Sequence, residues 1–369
     1  MFSVYHLAKM TSIAGLENHL LTLLPELRAR GLDAKLIVLV EPASPMTAYV
    51  EEALRRGIPT ETMVINTDLD IGLIGRMAQL FGQQKVDAVH THLIHADVHG
   101  LMAAKLARVP RLYSSGHNDD RFRSLLPVRM FQALLWRQVN AGIAISEALR
   151  QFMIHTEWAP ANKIHTVHYG LDPSTLPRQN KHKDALRIEL GLPPTTPLFG
   201  SVCRLVPQKG LSYALQAFAR VADAFNAHYA IVGDGPLRKS LLDECVMLGI
   251  ADRVHFLGWR TDAQTLYPAF DAFLMPSLWE GFGLVALEAM AANLPILASR
   301  VSALPEIVID GETGYLADPT DVDALAARMR DLLQSPDAAT KLGETGKQRL
   351  LTEFSVTKMV DSTLRVYGL

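Results

Sequence analysis

Two cations, Arg204 and Lys209, stand on either side of a short loop, Arg204-Leu205-Val206-Pro207-Gln208-Lys209-Gly210. The loop joins an apolar strand-like run, Leu198 to Arg204, to a helix expected from Leu211. So short a connection lets both cationic heads turn toward one site, and two cations beside a helix N-terminus suit a diphosphate. In that place they would neutralise a departing diphosphate where many enzymes use Mg²⁺. A second stretch, Pro276 to Pro295, reads PSLWEGFGLVALEAMAANLP. The apolar run Ala272 to Met275 ends at Pro276, the turn Glu280-Gly281-Phe282-Gly283 follows, and Leu284 to Ala292 holds helix formers without Gly or Pro. Strand, glycine turn and helix in that order leave unpaired backbone N–H groups and a positive dipole end, and the glycines let an anion approach. Glu280 on the turn can accept from sugar hydroxyls beside that anion. Glu288, inside the helix among Leu287, Ala289 and Met290, can accept from a ribose diol, and its apolar setting demands a partner.

Other candidates are less specific. Gly233-Asp234-Gly235-Pro236 follows a strand at Tyr229 to Val232, and Gly258-Trp259 follows one at Val254 to Leu257; a lone G-x-G is weak evidence by itself. His90, His92, His95 and His99 crowd together, and His95 and His99 would share a helix face. With no H-E-x-x-H pattern the expectation is packing and strand-end histidines, and no metal. Gly15, in the loop Ser12 to Glu17, can turn a backbone amide toward a phosphate or sugar. From Arg121 to Val139, Arg121, Arg123, Arg129 and Arg137 interleave with Phe122, Leu125, Leu126, Phe131, Leu134, Leu135 and Trp136. Such a segment suits an anionic membrane surface, and equally an ordinary helix with one core-facing stripe.

The elements that must position these residues alternate. In the first half strands are expected at Phe2 to Leu7, Lys35 to Val40, Thr62 to Ile65, Val86 to His90, Arg111 to Ser114, Ala141 to Ser146 and Lys163 to His168. Helices fall between them, at Leu16 to Arg30, Tyr49 to Arg56 and Ile71 to Phe81. This is the pattern of a doubly wound parallel sheet, whose ligands sit at the carboxyl ends of the strands. Pro173 to Lys183 is polar and proline-containing, as a linker is, and a second alternating series follows. At 369 residues, 49% hydrophobic and 20% charged, the chain can bury two cores. A net charge of −2 argues against a nucleic-acid binder. Two cysteines, Cys203 and Cys245, without C-x-x-C spacing fit a reducing compartment. No apolar run reaches the length of a membrane span, and the N-terminus lacks a signal-peptide pattern; the expected location is the cytoplasm, at the inner face of the membrane if the amphipathic segment docks there.

The P-S-x-x-E-G-F-G-L-x-x-L-E-A-M-A stretch, with its E-x7-E pair on Glu280 and Glu288, closely resembles the donor-site signature of the retaining GT-B glycosyltransferases of family 4. The likeness runs over nearly the whole chain. Arg204 to Gly210 is similar to the family's G-R-L-x-x-x-K-G element with Cys203 in the Gly place, and His117 falls in a loop like its T-x-H loop. His168 to Asp172 is similar to its hinge. The resemblance implies an α/β fold of two Rossmann-like doubly wound domains facing a cleft. Residues 1–172 would be the acceptor-side domain and 184–354 the nucleotide-sugar domain, with 173–183 the linker and a helix near 355–369 packing back on the first. It implies that Arg204, Lys209, Glu280 and His117 serve the reaction. Gly15, Gly233, Gly235, Leu257, Gly258, Trp259, Gly281, Phe282, Gly283, Leu284 and Glu288 would hold the donor. Phe282, Leu284 and Val285 would shape the sugar pocket. The chain departs from the family at Ala14 and at Ser302-Ala303, where glycines are usual. The implied activity is transfer of a hexose-type sugar from a nucleotide-diphosphate sugar to a glycan or lipid-linked acceptor, with no cofactor and no metal. The alternatives are a non-catalytic nucleotide-sugar-binding subunit and a GT-B hydrolase or epimerase.

Overall fold

The computed structural model describes residues 1–12, 14–119, 121–176 and 184–369, with the side chain of Arg121 left aside. Most of the expected linker, 177–183, therefore lies outside the described residues. The chain divides into two compact units, Met1–Gly170 with Val356–Leu369, and Leu171–Ser355. The described part of the expected linker, Pro173 to Leu176, falls within the second unit.

The first unit holds a seven-stranded parallel sheet, β1 (Ser3–Lys9), β2 (Asp33–Val40), β3 (Thr60–Val64), β4 (Ala88–His92), β5 (Arg111–Gly116), β6 (Ala141–Ala144) and β7 (Ile164–Thr166), in the order β3-β2-β1-β4-β5-β6-β7. Strand β2 is nearly continuous in Leu, Ile and Val because helices cover both faces of a parallel sheet. The helix Gly15–Ala29 turns Leu16, Leu20, Leu23, Leu24 and Leu27 inward, a helical stripe buried with Val4, Ala34 and Leu36. Met359, Val360 and Tyr367 of the helix Val356–Tyr367 join the same core. Helix starts follow local chemistry: the Asp70 carboxylate accepts from the Leu73 N–H at 2.8 Å, and the Ser146 hydroxyl from the Leu149 N–H at 3.1 Å. Strand β4 runs two residues further than expected, to His92. The polar residues that end the apolar run are themselves buried, so hydropathy alone stops the strand too early.

The second unit holds a six-stranded parallel sheet, β8 (Leu198–Val202), β9 (His228–Val232), β10 (Val254–Gly258), β11 (Ala272–Met275), β12 (Ile296–Ser299) and β13 (Gly314–Ala317), in the order β10-β9-β8-β11-β12-β13. Each sheet reverses its winding once, between β1 and β4 in the first and between β8 and β11 in the second. At such a switch point the loops leaving adjacent strands part in opposite directions and open a crevice. The loops beside the second crevice are Cys203–Gly210 and Pro276–Gly283, the two stretches that carry the candidate chemistry. Among the described residues no helix is long and apolar enough to cross a membrane.

Candidate active site

In the second unit the loop after β8 tightens into a 3₁₀ turn, Pro207–Lys209, and ends on Gly210 at φ +59°. A Cβ at Gly210 would stand 2.0 Å from the Pro276 carbonyl oxygen, so only glycine lets the two switch-point loops meet. The Leu278 N–H donates to the Gln208 carbonyl at 2.7 Å, and the Gln208 side-chain amide donates to the Trp279 carbonyl at 3.1 Å. These ties bring Lys209 to Glu280, with Nζ to Oε2 at 2.7 Å, in a pair that is mostly buried on both sides. Arg204 is exposed, and its side chain makes no hydrogen bond or ion pair among the described residues. The loop thus carries one paired cation and one uncommitted cation. A small recess beside Lys209 is lined by Val202, Cys203, Met275, Ser277 and Val285. Burial pushes the Cys203 thiol up to about 12, so it carries no thiolate there.

The helix Leu284–Ala291 begins at Gly283, at φ +100°, which brings no side chain to cap the first turn. Glu288 lies one turn in, half-buried. Its carboxylate accepts from the Tyr267 hydroxyl at 2.6 Å and the Gln264 amide at 2.8 Å, and burial raises its pKa. Glu280 and Glu288 therefore have different partners, a lysine for one and neutral donors for the other. The Phe282 ring is 2% exposed and packs edge-on against Phe354, with centroids 6.0 Å apart. It is a core side chain; only the backbone of Gly281 to Leu284 lines the loop. The Gly233 N–H donates to the Gly258 carbonyl at 2.8 Å, which links the ends of β9 and β10. A Cβ at Gly233 or Gly235 would strike the backbone of Cys203 or Leu205, so both glycines hold the β8 loop close. Leu257 and Gly258 end the edge strand β10, and the Trp259 indole beyond them is 70% exposed.

In the first unit, Gly15 opens the helix Gly15–Ala29, and the Glu17 side chain accepts from the Ala14 N–H at 2.8 Å. Ala14 sits at φ −143°, extended backbone that any residue adopts, so the missing glycine costs nothing. Ser302 differs: it sits at φ +46°, keeping the left-handed backbone that glycine would supply more easily.

His117 follows β5, and both its ring nitrogens are engaged. Nε2 pairs with His92 Nδ1 at 2.9 Å, and Nδ1 with the Tyr169 hydroxyl at 2.6 Å. A sugar hydroxyl that took a hydrogen bond from this ring would have to replace one of those partners. Behind His117 stands a group the sequence did not disclose. His6, His90 and His92 are fully buried, and their nearest nitrogens lie within 4.8 Å of one another. Such nitrogens can hold a metal, but these are spent on hydrogen bonds within the unit: His6 Nδ1 to His92 Nε2 at 2.9 Å, and His90 to Tyr367 and Ser115. His95 and His99 stand apart from them; His99 Nε2 accepts from the Asp70 N–H at 2.9 Å. The missed member is His6. Its signal was a single histidine within the buried run Val4 to Ala8.

The segment 121–139 forms a 3₁₀ turn and the helix Leu126–Gln138. Its arginines are less free than the sequence suggests. Arg123 is 2% exposed and paired with the fully buried Glu157, whose other oxygen accepts from the Trp136 indole N–H at 2.8 Å. Arg129 donates to the Thr156 carbonyl at 2.7 Å and lies over the Trp158 ring. Leu125, Leu126, Met130 and Leu134 are each more than half exposed. Among the described side chains this surface is apolar, and Arg137 is exposed on it.

Comparison with known proteins bears on both units. Residues 182–349 match the family described as glycosyl transferases group 1, and residues 13–175 match glycosyltransferase family 4. The chain is 25% identical to the UDP-Gal:alpha-D-GlcNAc-diphosphoundecaprenol alpha-1,3-galactosyltransferase of Escherichia coli, over 99% of this chain and 96% of that one. It is 27% identical to the N-acetyl-alpha-D-glucosaminyl L-malate synthase of Bacillus anthracis, over 81% and 78% of the two chains. The crystal structure of Anabaena HepE in complex with UDP and glucose shares the fold, with a TM-score of 0.87 and 21% identity over the whole of both chains.

Proposed function

We propose, for a chain that belongs to the GT-B glycosyltransferases of family 4, that the reaction is transfer of a hexose-type sugar from a UDP-sugar with retention at the anomeric carbon. The acceptor is a glycan or a lipid-linked sugar of cell-envelope polysaccharide. The observation that carries this reading is the switch-point crevice of the second unit, where interlocked loops bring Lys209 to Glu280 beside the start of the helix Leu284–Ala291, with Arg204 on the same loop as Lys209.

In this mechanism the diphosphate lies at the helix start and meets Arg204 and Lys209. As the glycosidic bond breaks, charge grows on the diphosphate oxygen, and these cations stabilise it without requiring a metal. That oxygen takes the acceptor hydroxyl's proton on the face it has just left, through an oxocarbenium-like state, which gives retention. The pair with Lys209 aims the Glu280 carboxylate, so it can accept from the donor sugar's hydroxyls. Glu288 exchanges Gln264 or Tyr267 for a ribose hydroxyl. Trp259 covers the base from the end of β10, and His117 is the first unit's sugar-contacting group. The apolar surface of the helix Leu126–Gln138 serves a membrane-borne acceptor, at the inner face of the membrane.

The test is incubation of the purified chain with UDP-sugars and a panel of lipid-diphosphate and glycan acceptors, with and without EDTA. The product's anomeric configuration is read by NMR. Transfer with retention, unaffected by EDTA, is expected; inversion or dependence on added Mg²⁺ overturns the mechanism. Free sugar released at the same rate with and without acceptor would make the chain a hydrolase.

A further inference from the structure

The buried histidines of the first unit form one continuous hydrogen-bonded chain. Register explains why. His6 on β1 pairs with His90 on β4, Ala8 with His92, and His90 and His92 with Tyr113 and Ser115 on β5. Registered residues, and residues two apart on a strand, share a sheet face. His6, His90, His92 and Ser115 therefore project together on the face where Tyr367, from the helix Val356–Tyr367, reaches them. The order of contacts is Ser115, His90, Tyr367, His6, His92, His117, Tyr169. The successive distances are 2.7, 2.6, 3.2, 2.9, 2.9 and 2.6 Å. Thr91 and Asp97 bond to each other from the opposite face and take no part.

A neutral imidazole has one N–H and one lone pair, and each nitrogen–nitrogen contact needs one proton. Two such contacts join His6, His92 and His117 with no hydroxyl between them, so the three rings must all carry the proton on the same kind of nitrogen. If it is Nδ1, each His donates forward. His6 Nε2 then accepts from Tyr367, Tyr367 accepts from His90 Nδ1, and His90 Nε2 accepts from Ser115. Every inner proton has an acceptor. If it is Nε2, the direction reverses. The three hydroxyls and four neutral rings carry seven protons for six contacts, so in either sense the proton of one hydroxyl, Tyr169 in the first and Ser115 in the second, bonds outside the chain. What the contacts fix is that His6, His92 and His117 share one sense, because breaking it would leave a nitrogen–nitrogen contact with two protons or none.

We propose that His6 and His92 are positioning residues that tie His117 to their own tautomer, so that the three rings carry the proton on the same kind of nitrogen. The bearing of this tie on catalysis rests on the reading of His117 as a sugar-contacting group. Other groups facing the chain are His19 and Glu17 from the helix Gly15–Ala29, Tyr113 from β5, and Arg123 beyond His117. The His19 ring stacks on Tyr169 at 4.3 Å, and its Nδ1 has no hydrogen-bond partner. Burial depresses the basicity of His6, His90, His92 and His117, which keeps the single-proton count intact.

The test is ¹⁵N NMR of the full chain labelled at histidine. His6, His92 and His117 should all show the same tautomer pattern, unchanged between about pH 8 and pH 6. In His6→Phe, His117 should populate both tautomers, and kcat should fall about tenfold or more while KM for the donor stays within about twofold. Different tautomers among His6, His92 and His117 of the wild-type protein overturn the proposal. So does a His117 signal unmoved in His6→Phe, or a shift of these signals on adding Zn²⁺, which would make the cluster a metal site. If His6→Phe does not fold, the wild-type spectrum alone decides. A wild-type chain that transfers no sugar refutes the proposed function and leaves the tautomer pattern to judge the tie.

Discussion

Acid should unfold the first unit well before ordinary acid denaturation. His6, His19, His90, His92 and His117 are all buried with their pKa values held down, His19 and His90 to about 3, and burial is the largest cause in each case. In the unfolded chain each returns to about 6.5. Between the folded and unfolded values the unfolded state binds the extra protons, so stability is fully present above about pH 7 and falls as pH drops through 6.5. At pH 5.5 each histidine costs about 1.4 kcal/mol, or about 7 kcal/mol for the five. Asp97 opposes this. Burial raises its carboxyl to about 6, so the folded state takes up a proton there and recovers somewhat under 1 kcal/mol. The net loss is about 6 kcal/mol, comparable with the whole stability of many domains.

The measurement is urea unfolding at pH 7.5, 6.5 and 5.5 in a Trp259→Phe/Trp279→Phe chain. That background leaves Trp136 and Trp158 of the first unit as reporters. The midpoint should fall steeply below pH 6.5, with a slope near pH 5.5 that corresponds to about four protons taken up per unfolding event. A slope of less than one proton, or equal midpoints at pH 7.5 and 5.5, would mean that the rings are charged in the fold, and the reasoning from burial would fail.

Lys209→Ala should lower turnover by about 10²–10³-fold with the circular dichroism spectrum unchanged; near-wild-type kcat would refute its role at the leaving group. Glu280→Gln keeps the side-chain shape but removes the charge partner, and should cost less in the same assay. Arg123→Met should destabilise the first unit by about 3–5 kcal/mol, because the fully buried Glu157 carboxylate then loses its cation; urea titration reads this directly, and an unchanged midpoint contradicts it. Ser302→Gly should relieve a left-handed backbone and raise stability by up to about 1 kcal/mol, net of the extra freedom glycine gains when unfolded. A lower melting temperature would show that the Ser302 side chain contributes more than its backbone costs.

The second unit was the more legible because its chemistry is local in the chain. Arg204 and Lys209 share one loop, Glu280 and Glu288 share one turn and helix, and glycine spacing marks where strands hand over to helices. What sequence could not supply was which loops meet. The Lys209 pair spans 71 residues, and it forms because β8 and β11 are neighbours at the switch point. The Phe282 ring was misplaced for a similar reason: its partner Phe354 lies at the far end of the unit's chain.

In the first unit the polar side chains were visible but their surroundings were not. Arg123 fitted a basic amphipathic helix as well as it fits a buried ion pair, and only Glu157, 34 residues away, decides between them. His6 is 86 residues from His92, and nothing near either one indicates the other. There was still a usable signal. A parallel strand between two neighbours is buried on both faces, so any polar residue inside it must find a partner on the same face of an adjacent strand. Once β1 is placed next to β4, His6, His90 and His92 have to meet. Their burial without a carboxylate among them then requires neutral rings, and neutral rings in series require a common proton direction. The tautomer of His117 is thus tied to those of His6 and His92 by strand order, a property no local motif encodes.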